Sequence, residues 1–154
     1  GHFAAVLRKM GMEEPERDLP VGEPLPKLWQ SFARELKIQL PPGKAVTFGD
    51  TLFWAPEGMP DIRRLKVLRP GLELGTLRKD RFEPAHALAL WLTDCARAVT
   101  LDPEGPQIRA YMHGETIPGT EKGWTLIRCG RYPIGWAKGD GRILKNHYPK
   151  GLRR

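Results

Sequence analysis

Glycine and proline punctuate this chain densely. The 154 residues include 17 glycines and 15 prolines. That is about a fifth of the chain, short of the low-complexity range, and it dictates short elements joined by many turns rather than long helices. With 40% hydrophobic residues and five tryptophans, the chain can still bury a core, as one ordinary domain or two small ones. No apolar run approaches the roughly 18–20 residues that cross a bilayer. No basic segment leads into an apolar one as in a signal peptide. Cys95 and Cys129 lack CxxC spacing and read as free structural thiols of a cytoplasmic protein.

Phe3-Ala4-Ala5-Val6-Leu7 reads as a buried strand that leaves through Arg8 and Lys9. A chain opening inside a strand is expected to belong to something longer, with Gly1-His2 as a possible tag remnant. The acidic, proline-rich GMEEPERDLPVGEP at 11–24 is a linker. Leu25, Leu28, Trp29, Phe32, Ala33 and Leu36 recur at helical spacing. They predict an amphipathic helix over about 25–38, ended by Pro41-Pro42-Gly43, with Lys27, Gln30, Arg34 and Lys37 facing water. Two short strands flank the Gly49-Asp50 turn between Val46 and Trp54, and further strands are expected at Leu65–Arg69 and Leu72–Leu77. Pro84 is placed to open a helix over 84–94, with Leu88, Trp91, Leu92 and Cys95 on its buried face. Residues 25–94 thus read as a compact mixed unit.

A second unit, 97–154, begins with a strand at Arg97–Leu101. A helix at 106–113 follows, with Ile108, Tyr111 and Met112 inward and Gly114 as its stop. Paired strands Trp124–Arg128 and Ile134–Lys138 meet around Gly130–Pro133, and Gly139-Asp140-Gly141 makes the next turn. Strands this short, closed by glycines, suggest a small barrel or pseudo-barrel, so the fold class is α+β.

Charge separates the two units. Residues 1–120 carry as many acids as bases, and the whole +7 surplus falls in the last 34 residues. Positive charge gathered in one segment draws a polyanion, although it also suits a solvated basic face. Catalytic patterns are missing from the sequence. His2, His86, His113 and His147 are scattered, with no HExxH pair, Cys/His metal set, GxSxG elbow or phosphate loop. The C-terminal segment instead interleaves cations with rings and an amide: Arg131-Tyr132, Trp136-Ala137-Lys138 and Lys145-Asn146-His147-Tyr148. RNA recognition needs cations for phosphates, rings for splayed bases and amides for base edges. Each group also has a packing role open to it. Trp124 and Trp136 fit a barrel core, Asn146 a turn cap and Tyr148-Pro149 a locked turn, while Lys145 and Lys150 could be plain solvated charges. The lack of a basic amphipathic helix disfavours a lipid surface.

Gly135-Trp136-Ala137-Lys138, with Gly141-Arg142-Ile143-Leu144-Lys145-Asn146-His147-Tyr148-Pro149-Lys150-Gly151-Leu152-Arg153, closely resembles the ending of the RsmF-like branch of Sun-type RNA cytosine-C5 methyltransferases. The resemblance implies a PUA-like RNA-binding domain over 97–154 and the family's first C-terminal domain over 25–94. It implies that residues 1–24 are the last strand of a methyltransferase core plus the linker. The S-adenosylmethionine loop and the two catalytic cysteines would then lie upstream of Gly1, since Cys95 follows Asp94 and Cys129 follows Arg128. On that footing this stretch carries no cofactor and no catalysis. Its expected partner is structured RNA, in particular small-subunit ribosomal RNA, beside the covalently linked methyltransferase domain, in a monomer. Arg131, Lys138, Arg142, Lys145, Lys150 and Arg153 are the candidates for phosphate, Tyr132, His147 and Tyr148 for stacking, and Asn146 for a base edge or sugar hydroxyl. The competing expectation is an interdomain module that packs on the catalytic domain without touching RNA.

Overall fold

The computed structural model describes residues 23–59, 61–62 and 64–153. The strand expected at Phe3–Leu7 and nearly all of the 11–24 linker lie outside the described residues. Helix α1 spans Lys27–Leu36 and buries Trp29, Phe32 and Leu36, while Lys27, Gln30, Arg34 and Lys37 stay exposed, as the periodicity requires. It stops earlier than the prolines imply. Lys37 turns left-handed at φ 55°, and Ile38 N–H donates to the Ala33 carbonyl at 2.8 Å, the two-bond close of a Schellman cap.

Strands β1 (Gly43–Phe48), β2 (Thr51–Pro56), β3 (Leu72–Leu77) and β4 (Phe82–Pro84) form an antiparallel sheet in that order. The strand expected at Leu65–Arg69 is not formed. β1 and β3 already occupy both edges of β2, which leaves no edge there for a further strand. Leu68 is 81% exposed, and only Val67 of the run packs, against Ala55 and Ile62. Pro84 closes β4 opposite Gly75 rather than opening a helix, and α2 is the shorter His86–Trp91. Leu92 is already extended, so α2 ends within two turns. It buries Leu88 and Ala89 with Leu92 just beyond, and leaves Trp91 exposed and Cys95 half-buried.

The second sheet has the order β5-β7-β8-β9-β6, built from β5 (Ala98–Leu101), β6 (Ile117–Pro118), β7 (Lys122–Cys129), β8 (Tyr132–Asp140) and β9 (Ile143–Asn146). β5 runs parallel to β7, the other pairs are antiparallel, and the sheet curls into a half-barrel. Helix α3 (Pro106–His113) ends at Gly114, left-handed at φ 92°, as its sequence foretells. One face of this sheet buries Ile127, Ala137, Leu144 and Tyr148 against Leu101, Tyr111 and Ile117. Gly135, at φ 155°, leaves room for the Tyr111 hydroxyl, which donates to the Trp136 carbonyl at 2.9 Å.

The other face carries Leu126 and Trp136 into the core of the first sheet. Phe32 stands 5.8 Å from Trp136 and 5.0 Å from Phe82, ring centre to ring centre, and Trp29 lies 5.3 Å from Phe82. Trp136 Nε1 donates to the Ala85 carbonyl at 2.9 Å and Trp124 Nε1 to the Phe82 carbonyl at 3.2 Å. Ala96 N–H bonds the Leu36 carbonyl, and Arg97 pairs with Glu35 at 2.8 Å. The two sheets therefore share one aromatic core, a relation that neither sequence segment shows alone.

Candidate nucleic-acid interface

Strand register decides which of the candidate residues meet. Lys138 on β8 lies directly opposite Lys145 on β9, and Trp124 on β7 lies opposite Lys138. Side chains alternate across a strand, so His147, two residues beyond Lys145, returns to the same face. Its ring meets Trp124 edge-on, with centroids 4.4 Å apart, and Lys138 Nζ stands 5.6 Å above the same indole. One ammonium and an imidazole thus meet on one tryptophan, with Lys145 across from Lys138 on the next strand. Like charges directly opposite on a sheet oppose folding. That cost is offset when an anion sits between them.

His147 has its pKa lowered, first by the desolvation of its seat on Trp124 and then by Lys138, with Glu83 pulling the other way. At neutral pH the ring is uncharged, able to donate or accept one hydrogen bond and to offer a flat face. Nearby phosphate would favour its protonated form.

The remaining candidates separate. Arg131 and Tyr132 sit at the β7–β8 turn, far along the strand from Lys138. The guanidinium lies 4.9 Å over the Tyr132 ring and bonds its hydroxyl at 2.7 Å, and Tyr132 is 61% exposed. Arg142 is exposed in the β8–β9 turn, where Asp140 accepts the Arg142 and Ile143 N–H groups and has its own pKa lowered by them. Lys150 is exposed on the 3-10 turn Lys150–Leu152.

Asn146 and Tyr148 are turned inward to packing and bonding roles, while Arg153 stays exposed with part of its guanidinium bonded to the backbone. Asn146 Nδ2 donates to the carbonyls of Tyr111 at 2.8 Å and Glu115 at 3.1 Å, and its Oδ1 accepts the Tyr148 N–H at 2.8 Å. Both amide hydrogens are used, so the expected base-edge contact has no free donor. Tyr148 is buried between His86 and Tyr111 rather than presented for stacking. Arg153 bonds the Tyr148 carbonyl through Nε and Nη2 and lies against Gly114. Trp136, 1% exposed, is core, and Trp124 packs against the same core while remaining half-exposed beneath Lys138 and beside His147.

Cys95 and Cys129 are free thiols. Cys95 donates to the Arg97 carbonyl at 3.1 Å, and burial pushes its pKa up, the opposite of what a nucleophilic cysteine needs. Among the described residues no group of three His, Cys, Asp or Glu side chains could hold a metal ion, and no helix is long and apolar enough to cross a membrane.

The mixed α+β architecture, with its curled sheet and few short helices, is consistent with a PUA-like domain packed on a companion unit. Residues 31–92 match the family model of the RsmF rRNA methyltransferase first C-terminal domain, and residues 98–154 match that of the methyltransferase RsmF PUA domain. The chain is 28% identical over its whole length to the ribosomal RNA small subunit methyltransferase F of Shewanella woodyi, covering 35% of that protein. It is 27% identical over 99% of its length to the protein of the same name from Shewanella sp. strain MR-4, covering 36% of it. The counterpart in Shewanella baltica strain OS195 is 29% identical over 79% of this chain. The chain spans about a third of the length of these relatives. It belongs to the RsmF rRNA methyltransferase family and carries that family's C-terminal domains.

Proposed function

We propose that this chain holds structured RNA, in particular small-subunit ribosomal RNA, for an S-adenosylmethionine-dependent cytosine-C5 methyltransferase domain joined to it. The observation that carries the reading is Lys138 over Trp124, with His147 at the same indole and Lys145 facing Lys138 across the strands. A phosphate bridging the two lysines would relieve their repulsion, and a base splayed from a loop would find the His147 ring beside it. Arg131 with Tyr132, Arg142 and Lys150 would extend the contact to neighbouring phosphates. Residues 25–94 and 97–154 act as two units of one holder, in a cytoplasmic monomer. The role is positioning: RNA held at a fixed place lets one flipped cytosine reach a site outside this chain. Methyl-donor binding and the bond-making step are assigned to the joined domain, since Cys95 and Cys129 match neither catalytic cysteine in sequence context.

A second reading, packing on the catalytic domain without RNA contact, draws support from the internal bonds of Asn146, Tyr148 and Arg153. One experiment separates the two. Affinity of the chain for a small-subunit ribosomal RNA hairpin and for a DNA duplex of matched sequence is measured across a salt series. Tighter RNA binding with a steep salt slope supports the first reading. Weak binding without preference supports the second.

A further inference from the structure

The first unit meets the cationic patch through Trp124. The indole N–H is held by the carbonyl of Phe82 at 3.2 Å, and Phe82 lies between Arg81 and Glu83 in β4 and the turn before it. With Lys138 over its ring and His147 at its edge, Trp124 makes the residues flanking Phe82 border the same surface, and Glu83 acts on His147 electrostatically. Arg78 and Arg81 are about half exposed there, and both are held in place. Arg78 bonds Asp50 at 2.7 Å and reaches Glu83 at 3.5 Å, while Arg81 bonds Glu83 at 2.8 Å.

We propose that the RNA path continues from Lys138 and Lys145 across Trp124 onto the β3–β4 turn, where Arg78 and Arg81 take successive phosphates. The companion unit is then part of the RNA interface and not a spacer. This rests on the reading of the lysine patch as an RNA site. The acids around the two arginines do not argue against it. A guanidinium has five N–H donors in a fixed fork, so one used on a carboxylate leaves others for a phosphate. Being held beforehand, it loses less side-chain freedom on binding. Local charge is balanced by Asp50, Asp80 and Glu83, so the turn supplies placed donors, whereas the lysines supply the net field. The chain at Arg78-Lys79-Asp80-Arg81 has the look of an ordinary turn, which is why sequence alone gives no sign of it.

The test uses the whole 154-residue chain and a fluorescein-labelled small-subunit ribosomal RNA hairpin with a single-stranded loop, followed by anisotropy across a salt series. The double variant R78Q/R81Q should bind several-fold more weakly, with a log–log salt slope shallower by about 1.4, two phosphates at about 0.7 each for single-stranded contacts. K138Q/K145Q should do the same. Lys79→Glu, exposed in the same turn and outside the Asp50 and Glu83 pairs, should also weaken binding and guards against misfolding of the double variant. A loss with K138Q/K145Q but unchanged affinity in both R78Q/R81Q and Lys79→Glu overturns this inference and leaves the proposed function standing. No loss in any variant overturns both.

Discussion

Replacing Trp136 with phenylalanine is the sharpest probe of the shared core. The indole is buried, touches Phe32 and Trp124, and donates to the Ala85 carbonyl across the junction of the two sheets. Phenylalanine keeps most of the apolar contact but removes the N–H and part of the ring volume. The half-buried Ala85 carbonyl keeps a long bond from Ala89 N–H at 3.4 Å, so losing the indole donor costs about 0.5–1.5 kcal/mol. The cavity, smaller than that of a full truncation to alanine at about 3–5 kcal/mol, adds roughly another 1. A loss of about 1.5–2.5 kcal/mol is therefore expected, a sizeable share of the roughly 5–15 kcal/mol typical of a domain. The assay is urea unfolding followed by amide hydrogen exchange resolved to individual strands. Amides of β2 and β3 should lose protection together with those of β7 and β8, since Trp136 stabilises both sheets. If the β7–β8 amides shift and the β2–β3 amides do not, the sheets unfold independently and the single-core description is refuted.

Lys145→Ala should weaken RNA binding and make the salt slope shallower by about 0.7–0.9 while leaving the melting temperature nearly level, because the like charge it removes from opposite Lys138 is offset by the lost attraction to Asp140. Asn146→Ala should do the reverse: thermal denaturation should show a loss of about 1–3 kcal/mol from the missing bonds to the Tyr111 and Glu115 carbonyls and the Tyr148 N–H, with the salt slope of RNA binding unchanged. Lys37→Gly should raise stability by a few tenths to about 1 kcal/mol in urea titrations, since glycine adopts the left-handed cap without strain. His86 has its pKa lowered from 6.5 by burial, and so binds its proton more readily in the unfolded chain. Stability from this group is present above about pH 6.5 and is lost as pH falls toward and through its lowered native value. Urea midpoints taken from pH 8 to 5 should therefore decline less steeply in His86→Gln than in the parent.

The elements most legible in the sequence were those fixed by neighbours along the chain. The spacing of Trp29, Phe32 and Leu36 marks α1, Gly49-Asp50 marks the first hairpin, and Gly114 marks the stop of α3. Leu65–Arg69 misled because alternation reports a local preference, whereas a strand needs a free edge, and β2 has none to give. Trp91 misled because it is the last residue of α2, whose buried face is carried by Leu88 and Ala89. The site was legible in composition but not in role. Lys138, Lys145 and His147 come together through β8–β9 register, and Asn146 is claimed by carbonyls 35 and 31 residues away. No local pattern separates these neighbours in a single run of basic and aromatic residues.

The face of the second sheet that carries Leu126 and Trp136 has a practical consequence for anyone who would transplant the basic half into another enzyme. Cut at residue 97, the fragment would display an oily surface with two indole N–H groups deprived of their acceptors, a recipe for self-association. The portable unit is the pair of sheets. An exchange of RNA specificity between enzymes of this kind would have to move both, or rebuild the underside of the graft with polar residues before the donor strand could stand in water.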